Sequence, residues 1–196
     1  MEQISIATLV LVIISLVLIV IFSAFFSYIH IRSLHKNKVK ASFNDLGITT
    51  QKKIIYELFY AARFLSKNKI GALITIQQSD LLDDFRTDGV TIDAKITASL
   101  LIAIFQKNSP LHDGAVVIVD DRILYASTYF SVSDSNLSDR YGARHRAALG
   151  IAEQSDSVTI VISEQTGEII IAHKGNFLKV TNLEMFGDIL EKEINS

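Results

Sequence analysis

The stretch Ala115-Val116-Val117-Ile118-Val119, Asp120-Asp121-Arg122, Ile123-Leu124-Tyr125-Ala126-Ser127-Thr128-Tyr129 decides the fold. Two runs rich in β-branched and aromatic residues flank a short polar turn, the pattern of an antiparallel β-hairpin. Toward the N-terminus, Pro110 and the polar residues before it stop an apolar segment, Ala94 to Phe105, that reads as a largely buried helix. A polar stretch with Asp80, Asp83, Asp84, Arg86 and Asp88 precedes it, and before that Ile70 to Ile76 reads as a buried strand. Further back, Ile54, Ile55, Leu58, Phe59, Ala62 and Leu65 recur with a helical period from Gln51 to Lys67-Asn68. Toward the C-terminus come a polar loop (Ser133 to Asp139), an alanine-rich helix (Tyr141 to Glu153), and a strand pair, Val158 to Ile162 with Glu168 to Ala172, around Gln165-Thr166-Gly167. Leu183, Phe186, Leu190 and Ile194 predict a closing helix. Hairpins exclude a purely parallel sheet. The expected fold class is α/β (mixed α+β): one globular domain with a central mixed β-sheet flanked by helices.

One transmembrane helix is expected before that domain. No Asp, Glu, Lys or Arg occurs between Glu2 and Arg32, and Leu, Ile, Val and Phe fill the interval. About 20 apolar residues suffice to cross a bilayer. A cleaved signal would show a shorter apolar core after a basic start and before a small-residue cleavage site, which is not the pattern here. Arg32, Lys36, Lys38 and Lys40, with His30 and His35 among them, come directly after the apolar run, so the positive-inside rule places the C-terminal domain in the cytoplasm. The expected division is a transmembrane anchor at 4–29, a juxtamembrane connector at 30–46 whose Phe43 and Leu46 pack on the domain, and the globular domain at 47–194. The expected location is the cell membrane, single-pass.

Composition narrows the function. The chain has 19 Lys+Arg and 21 Asp+Glu; setting aside Glu2, Arg32, Lys36, Lys38 and Lys40 leaves 15 against 20, a formal charge of −5. Such a surface does not attract long polyanions, so nucleic acid is not an expected partner. With no cysteine, disulfides and thiolate metal sites are excluded.

Three segments carry candidate chemistry. In Leu111-His112-Asp113-Gly114-Ala115, Gly lets a ligand approach the backbone, and Asp with His can hold a divalent metal. Alone, the same residues also read as a turn in which Asp113 bonds its own backbone. In Tyr141-Gly142-Ala143-Arg144-His145-Arg146, cations crowd the start of a helix, where the dipole favours anions. A phosphate shared by N–H groups and guanidiniums explains them; a solvated basic patch paired with Asp134, Asp139 or Glu153 is the alternative. Ser163-Glu164-Gln165-Thr166-Gly167 suits a metal or hydroxyl, or is an ordinary hairpin turn. Of Tyr129 and Phe130, strand alternation allows one ring to stack on a base while the other fills the core.

Together these residues resemble the diadenylate cyclase family, most closely its membrane-anchored bacterial members. The resemblance runs from about Ile54 to the tail. It is carried by Lys69-Ile70-Gly71-Ala72-Leu73-Ile74, by the Asp-Gly-Ala motif at Asp113-Gly114-Ala115, by the Arg-His-Arg motif at Arg144-His145-Arg146, and by Ser163-Glu164-Gln165-Thr166-Gly167. It implies a nucleotidyltransferase that condenses two ATP into cyclic di-AMP and two diphosphates. By this resemblance Asp113 holds a divalent cation, Mn2+ or Mg2+ with Co2+ a further candidate, and helps prepare a ribose 3′-hydroxyl. His112 and Glu164 are further metal ligands; Arg144, His145 and Arg146 grip the triphosphate. Gly114, Ala115, Tyr129, Phe130, Ala143 and Ser163 line the ATP site.

The sequence departs from the family pattern at Ala143, where threonine is usual, at Gln165, where a second glutamate is common, and at Phe130-Ser131-Val132, where the family has Leu-Pro-Leu after the aromatic. Many anchored members carry several transmembrane helices; one is visible here. Because the product has two equivalent 3′–5′ links, two ATP molecules must face each other, and a homodimer with twofold symmetry is expected for catalysis. A membrane or cytoplasmic regulatory protein is a further candidate partner. A nucleotide receptor that binds without turnover, and a structural membrane adaptor, are the competing classes.

Overall fold

A computed structural model describes residues 2–36, 43–135, 137–138 and 140–196. The chain packs as two units, Met1–Lys40 and Ala41–Ser196. The first is a single helix, α1 (Glu2–Lys36), whose stretch Thr8–Ile29 is long and apolar enough to cross a membrane. Ser15 and Ser23 donate their hydroxyls to the Val12 and Val20 carbonyls, at 2.8 and 2.9 Å, so these polar groups are satisfied within the helix, as a hydrocarbon surrounding requires. The side chains of His30, Arg32, His35 and Lys36, and the whole of Lys38 and Lys40, lie outside the described residues.

The second unit begins with Phe43 in a short 3-10 turn (Phe43–Asp45), fully buried, with Leu46 packed beside it; both belong to the core of the domain. Helix α2 (Ile48–Lys67) comes next. It ends in a Schellman-type cap: Lys69 has φ 51°, its N–H bonds the Ser66 carbonyl at 3.1 Å, and the Ile70 N–H bonds that of Leu65 at 2.9 Å. Ile70 therefore closes the helix, and strand β1 starts later than expected, at Ala72, running to Ile76. Strands β2 (Arg86–Thr87) and β3 (Val90–Lys95) precede α3 (Ala98–Phe105).

The start of α3 corrects the sequence expectation. Ala94 and Lys95 were expected in the helix, but they pair with Ile123 and Arg122. The helix begins only after Thr97, whose hydroxyl caps the Leu100 N–H at 3.2 Å. Apolar residues near a cap serve strand and helix alike; pairing decided for the strand.

The hairpin formed by β4 (Ala115–Val119) and β5 (Arg122–Phe130) is present as read. Helix α4 (Ala143–Gln154), β6 (Val158–Ile162), β7 (Ile169–His173), β8 (Asn176–Val180) and α5 (Phe186–Ile194) complete the chain. Strand β8 was not anticipated: Asn176-Phe177-Leu178-Lys179-Val180 is short and its apolar residues do not alternate, and pairing with β7 makes it an edge strand. The eight-stranded sheet runs β2-β5-β4-β1-β6-β7-β8, with β3 also on β5; β1 and β4 are parallel and the other pairs antiparallel.

Alternation along the central strands sends side chains to two cores. Ile74, Ile76, Val116, Ile118, Ile160, Ile162 and Ile171 pack beneath α2, α3 and α5, around Leu58, Leu65, Phe105, Phe186 and Leu190. Leu73, Val117, Val161 and Ile170 face α4, against Ala148, Ile151 and Ala152. Burying each large side chain contributes about 1.5–3 kcal/mol, which makes this three-layer packing the main source of stability. In the α4 layer the buried Thr75 and Thr159 hydroxyls satisfy each other at 3.1 Å.

Strand β5 carries a bulge that matters for the site. Ala115 opposes Thr128 and Val117 opposes Tyr125, so one extra residue is accommodated, with Ser127 at φ 53°. Ala126 packs with the α2 layer while Phe130, of the same parity, packs under α4.

Candidate active site

The site assembles at one end of the sheet. Asp113-Gly114 precede β4; Thr128-Tyr129 end the antiparallel β5 beside them; Gly71 precedes β1; and Ser163-Glu164 come after β6, which pairs antiparallel with β1. The first turn of α4 overhangs this end. Sheet topology thus brings together four segments separated in sequence.

Arg144 is the junction. Its Nη1 lies 3.1 Å from Glu164 Oε2, and its Nη2 reaches the His112 carbonyl at 3.4 Å. Its Nε is buried with no hydrogen-bond partner among the described residues. The guanidinium therefore ties the loop before β4 to the loop after β6. Room for it depends on Gly71: a Cβ there would lie 2.8 Å from Nη1 and 3.1 Å from Glu164 Oε2.

Asp113 is held by two contacts. One carboxylate oxygen accepts the Gly114 N–H at 3.0 Å, the other the Tyr129 hydroxyl at 3.3 Å. The local turn and the site are one arrangement, since the turn aims the carboxylate at the aromatic. Gly114 has φ 80°, and a Cβ on it would sit 2.5 Å from the Thr128 carbonyl oxygen. No other residue tolerates both constraints. Ala115 is fully buried, so its contribution is backbone only.

Two hollows adjoin across Ala143 and Arg144. One, of about 130 Å3, is lined by Leu73, Asp113, Gly114, Tyr129, Phe130 and Val132 among others; the second, of about 110 Å3, by Arg140, His145, Ser163, Glu164 and Gln165 among others. Enclosed small-molecule pockets usually exceed about 300 Å3. Each hollow is smaller than that. Tyr129 is 43 % exposed and presents a ring to the first hollow; Phe130 is 7 % exposed and serves mainly as core, with its edge in the wall.

The three residues expected to form a cationic grip, Arg144, His145 and Arg146, lie in different surroundings. His145 is buried beside the Tyr141 ring, with centroids 5.0 Å apart. Burial pushes its pKa below the ordinary histidine value, partly opposed by the Glu168 charge. Arg146 is half-buried and lines neither hollow. Arg140, which sequence reasoning passed over, lines the second hollow and lies over the Tyr141 ring at 4.7 Å. Its place in the same loop, just before Gly142, was the only signal. Among the described residues Arg144 pairs with Glu164 and Glu153 accepts from Ser135; Asp139, named in the alternative basic patch, lies outside the described residues.

The nucleotide-binding family described as DisA bacterial checkpoint controller nucleotide-binding, abbreviated DAC, matches residues 45–177. The chain belongs to this family. This DAC-family chain is 43% identical over 145 residues to a diadenylate cyclase of Listeria monocytogenes, covering 74% of this chain and 53% of that protein. It is 40% identical over 144 residues to cyclic di-AMP synthase CdaA of Bacillus subtilis, covering 73% and 53%. The chain thus spans about half the length of these curated relatives. Among solved structures, DacA from Staphylococcus aureus superposes with a TM-score of 0.71 at 37% identity, over 74% of this chain and 98% of that one. A hypothetical membrane spanning protein from Bacillus cereus gives 0.63 at 35%, over 65% and 63%.

Within this DAC-family site, the donors for a cation are sparse. Among the described residues no three His, Asp or Glu side chains gather as a metal cluster. Of His112, Asp113 and Glu164, the last is paired with Arg144. His112 Nδ1 lies 2.6 Å from the Ser109 carbonyl oxygen, so that nitrogen holds the proton and Nε2 keeps its lone pair. Asp113 and His112 are adjacent oxygen and nitrogen donors, and a cation of the Mg2+ or Mn2+ kind takes only one or two protein donors, filling its shell from phosphates and water. The Ser163 hydroxyl accepts the Thr166 N–H at 3.3 Å, stiffening the turn that carries Glu164.

Proposed function

We propose that this chain is a diadenylate cyclase, joining two ATP molecules into cyclic di-AMP with release of two diphosphates. The observation that carries the reading is the convergence on Arg144. One guanidinium bridges the Asp113 hollow and the Glu164 hollow, so a nucleotide with its adenine against Tyr129 has its phosphates beside a fixed cation. The 43% identity to a named diadenylate cyclase supports the same reading.

Each 3′-hydroxyl attacks the α-phosphorus of the partner ATP; a ribose O–P bond forms, the α–β bridging P–O bond breaks, and diphosphate leaves. Asp113 orients the 3′-hydroxyl and takes up its proton as the bond forms. Arg144 neutralises charge spreading over the phosphate oxygens, with Arg140 at the outer rim. Glu164 holds Arg144 in place, and His145, buried within the first turn of α4, packs against Tyr141. Gly142 supplies no side-chain cap to that helix, which leaves its positive end for phosphate. A divalent cation, Mn2+ or Mg2+ with Co2+ an alternative, held by Asp113 and His112 would polarise the reacting phosphate.

The small hollows favour a site completed by a second copy. Two domains meeting face to face with twofold symmetry place the two nucleotides in reciprocal attack positions. We assign the membrane as its location, with 4–29 as a single-pass anchor, 30–46 as connector and 47–194 as a cytoplasmic catalytic domain. The basic residues after the apolar run support that orientation.

The test is incubation of the full chain in lipid vesicles with ATP and Mn2+ or Mg2+, with mass analysis of the products. Cyclic di-AMP supports the reading; bound but unaltered ATP identifies a receptor instead. Specific activity should fall on dilution into excess lipid, and a value independent of surface density would overturn the dimer requirement.

A further inference from the structure

Helix α2 has a second face that its packing role does not use. Ile54, Ile55, Leu58, Ala61, Ala62 and Leu65 are buried on one side. On the other, Lys52, Lys53, Tyr56, Tyr60, Arg63, Phe64 and Lys67 are all exposed. The aromatic residues form its ridge, with the Tyr56 and Tyr60 rings 4.4 Å apart. Glu57, the one acidic residue of the helix, is turned aside, its carboxylate accepting the Ala98 N–H at 2.7 Å. None of the four cations forms an ion pair among the described residues. On a domain whose net charge is negative, an aromatic ridge flanked only by cations is a concentrated exception.

We infer that this face of α2 lies on the surface of an anionic lipid bilayer. Tyrosines with an apolar body and polar tip favour the headgroup region, and basic residues flanking them are drawn to anionic lipid. Chain continuity supports the same occupant: only residues 37–47 separate α2 from a helix long enough to cross a membrane. Fully extended, such a segment reaches no more than about 40 Å. A second copy is a poor occupant, because a twofold contact would set Lys52, Lys53, Arg63 and Lys67 against themselves. The inference stands apart from the cyclase reading, since it uses no residue of the candidate site.

The chain contains no tryptophan, so one introduced indole reports alone. Full-length Tyr60→Trp is reconstituted into vesicles of phosphatidylglycerol and brominated phosphatidylcholine. Gln154→Trp, exposed on α4 across the sheet, is the control. Bromine quenching several-fold stronger for Tyr60→Trp is expected. Adding Lys52→Glu and Lys53→Glu, or omitting phosphatidylglycerol, should shift the docked equilibrium by on the order of tenfold or more. Equal quenching at the two positions overturns the inference, as does quenching indifferent to charge reversal. An indole shielded without bromine quenching, in proportion to protein density, identifies a second copy and overturns it too. Circular dichroism of each variant confirms that the helix persists.

Discussion

The phenolic hydroxyl of Tyr129 lies 3.3 Å from the Asp113 carboxylate, joining the end of one strand of the central hairpin to the residue that precedes the other. Asp113→Asn keeps the shape and removes the charge. Turnover of ATP should fall by about 10²–10⁴-fold, the range for losing a positioned acid–base group, while ATP binding changes little. Comparable loss of both, by single-turnover kinetics and nucleotide titration, would remove the assigned role. Tyr129→Phe should retain most binding, whereas Tyr129→Ala should weaken it by about 1–3 kcal/mol through lost stacking.

Gly71 touches no expected substrate, yet its missing side chain leaves space for the Arg144–Glu164 pair. Gly71→Ala should displace the flexible guanidinium without unfolding the domain. We expect kcat/KM for ATP to fall by about 10-fold or more, a loss of about 1.4 kcal/mol or more in transition-state stabilisation. The thermal midpoint should stay nearly unchanged. A large drop in that midpoint instead would mark Gly71 as purely structural.

His145 gives stability a pH dependence. Its folded pKa is lowered by burial, so the unfolded chain binds the proton more tightly. Stability should be intact above the unfolded value of 6.5 and decline as pH falls toward the lowered folded value. His145→Gln should flatten the slope of denaturation free energy across that window. A slope that persists unchanged in the variant assigns it to other groups.

The hairpin turn holds a removable strain. Asp120 adopts φ 54°, one of its carboxylate oxygens is buried without a partner among the described residues, and burial raises its pKa. Asp120→Gly relieves both the backbone and the desolvation cost. A gain of about 1 kcal/mol by urea unfolding is expected, against the usual loss on mutation.

Local pattern made much of this molecule legible. The apolar run gave α1, the β-branched hairpin gave β4 and β5, and the spacing of Phe186, Leu190 and Ile194 gave α5 with all three residues buried. Periodicity failed at Ala94 and Lys95, where pairing with β5 overrode a helix-compatible composition, and at β8, an edge strand with too few buried residues to announce itself. In the candidate site, adjacency within each motif was readable. The burial of His145, the absence of Arg146 from the lining of both hollows and the entry of Arg140 were not, because each depends on how α4 sits over the sheet.

The sequence by itself determined the apolar helix, the mixed sheet and the identities of the residues that can bear charge or bind phosphate, since these arise from composition and short-range periodicity. Only the tertiary structure decided that Asp113, Arg144 and Glu164 share one end of the sheet, and that Gly71 makes room for them. The reason is topological: parallel pairing of β1 with β4 and antiparallel pairing of β1 with β6 bring distant chain segments to a common edge, and no local pattern encodes that register.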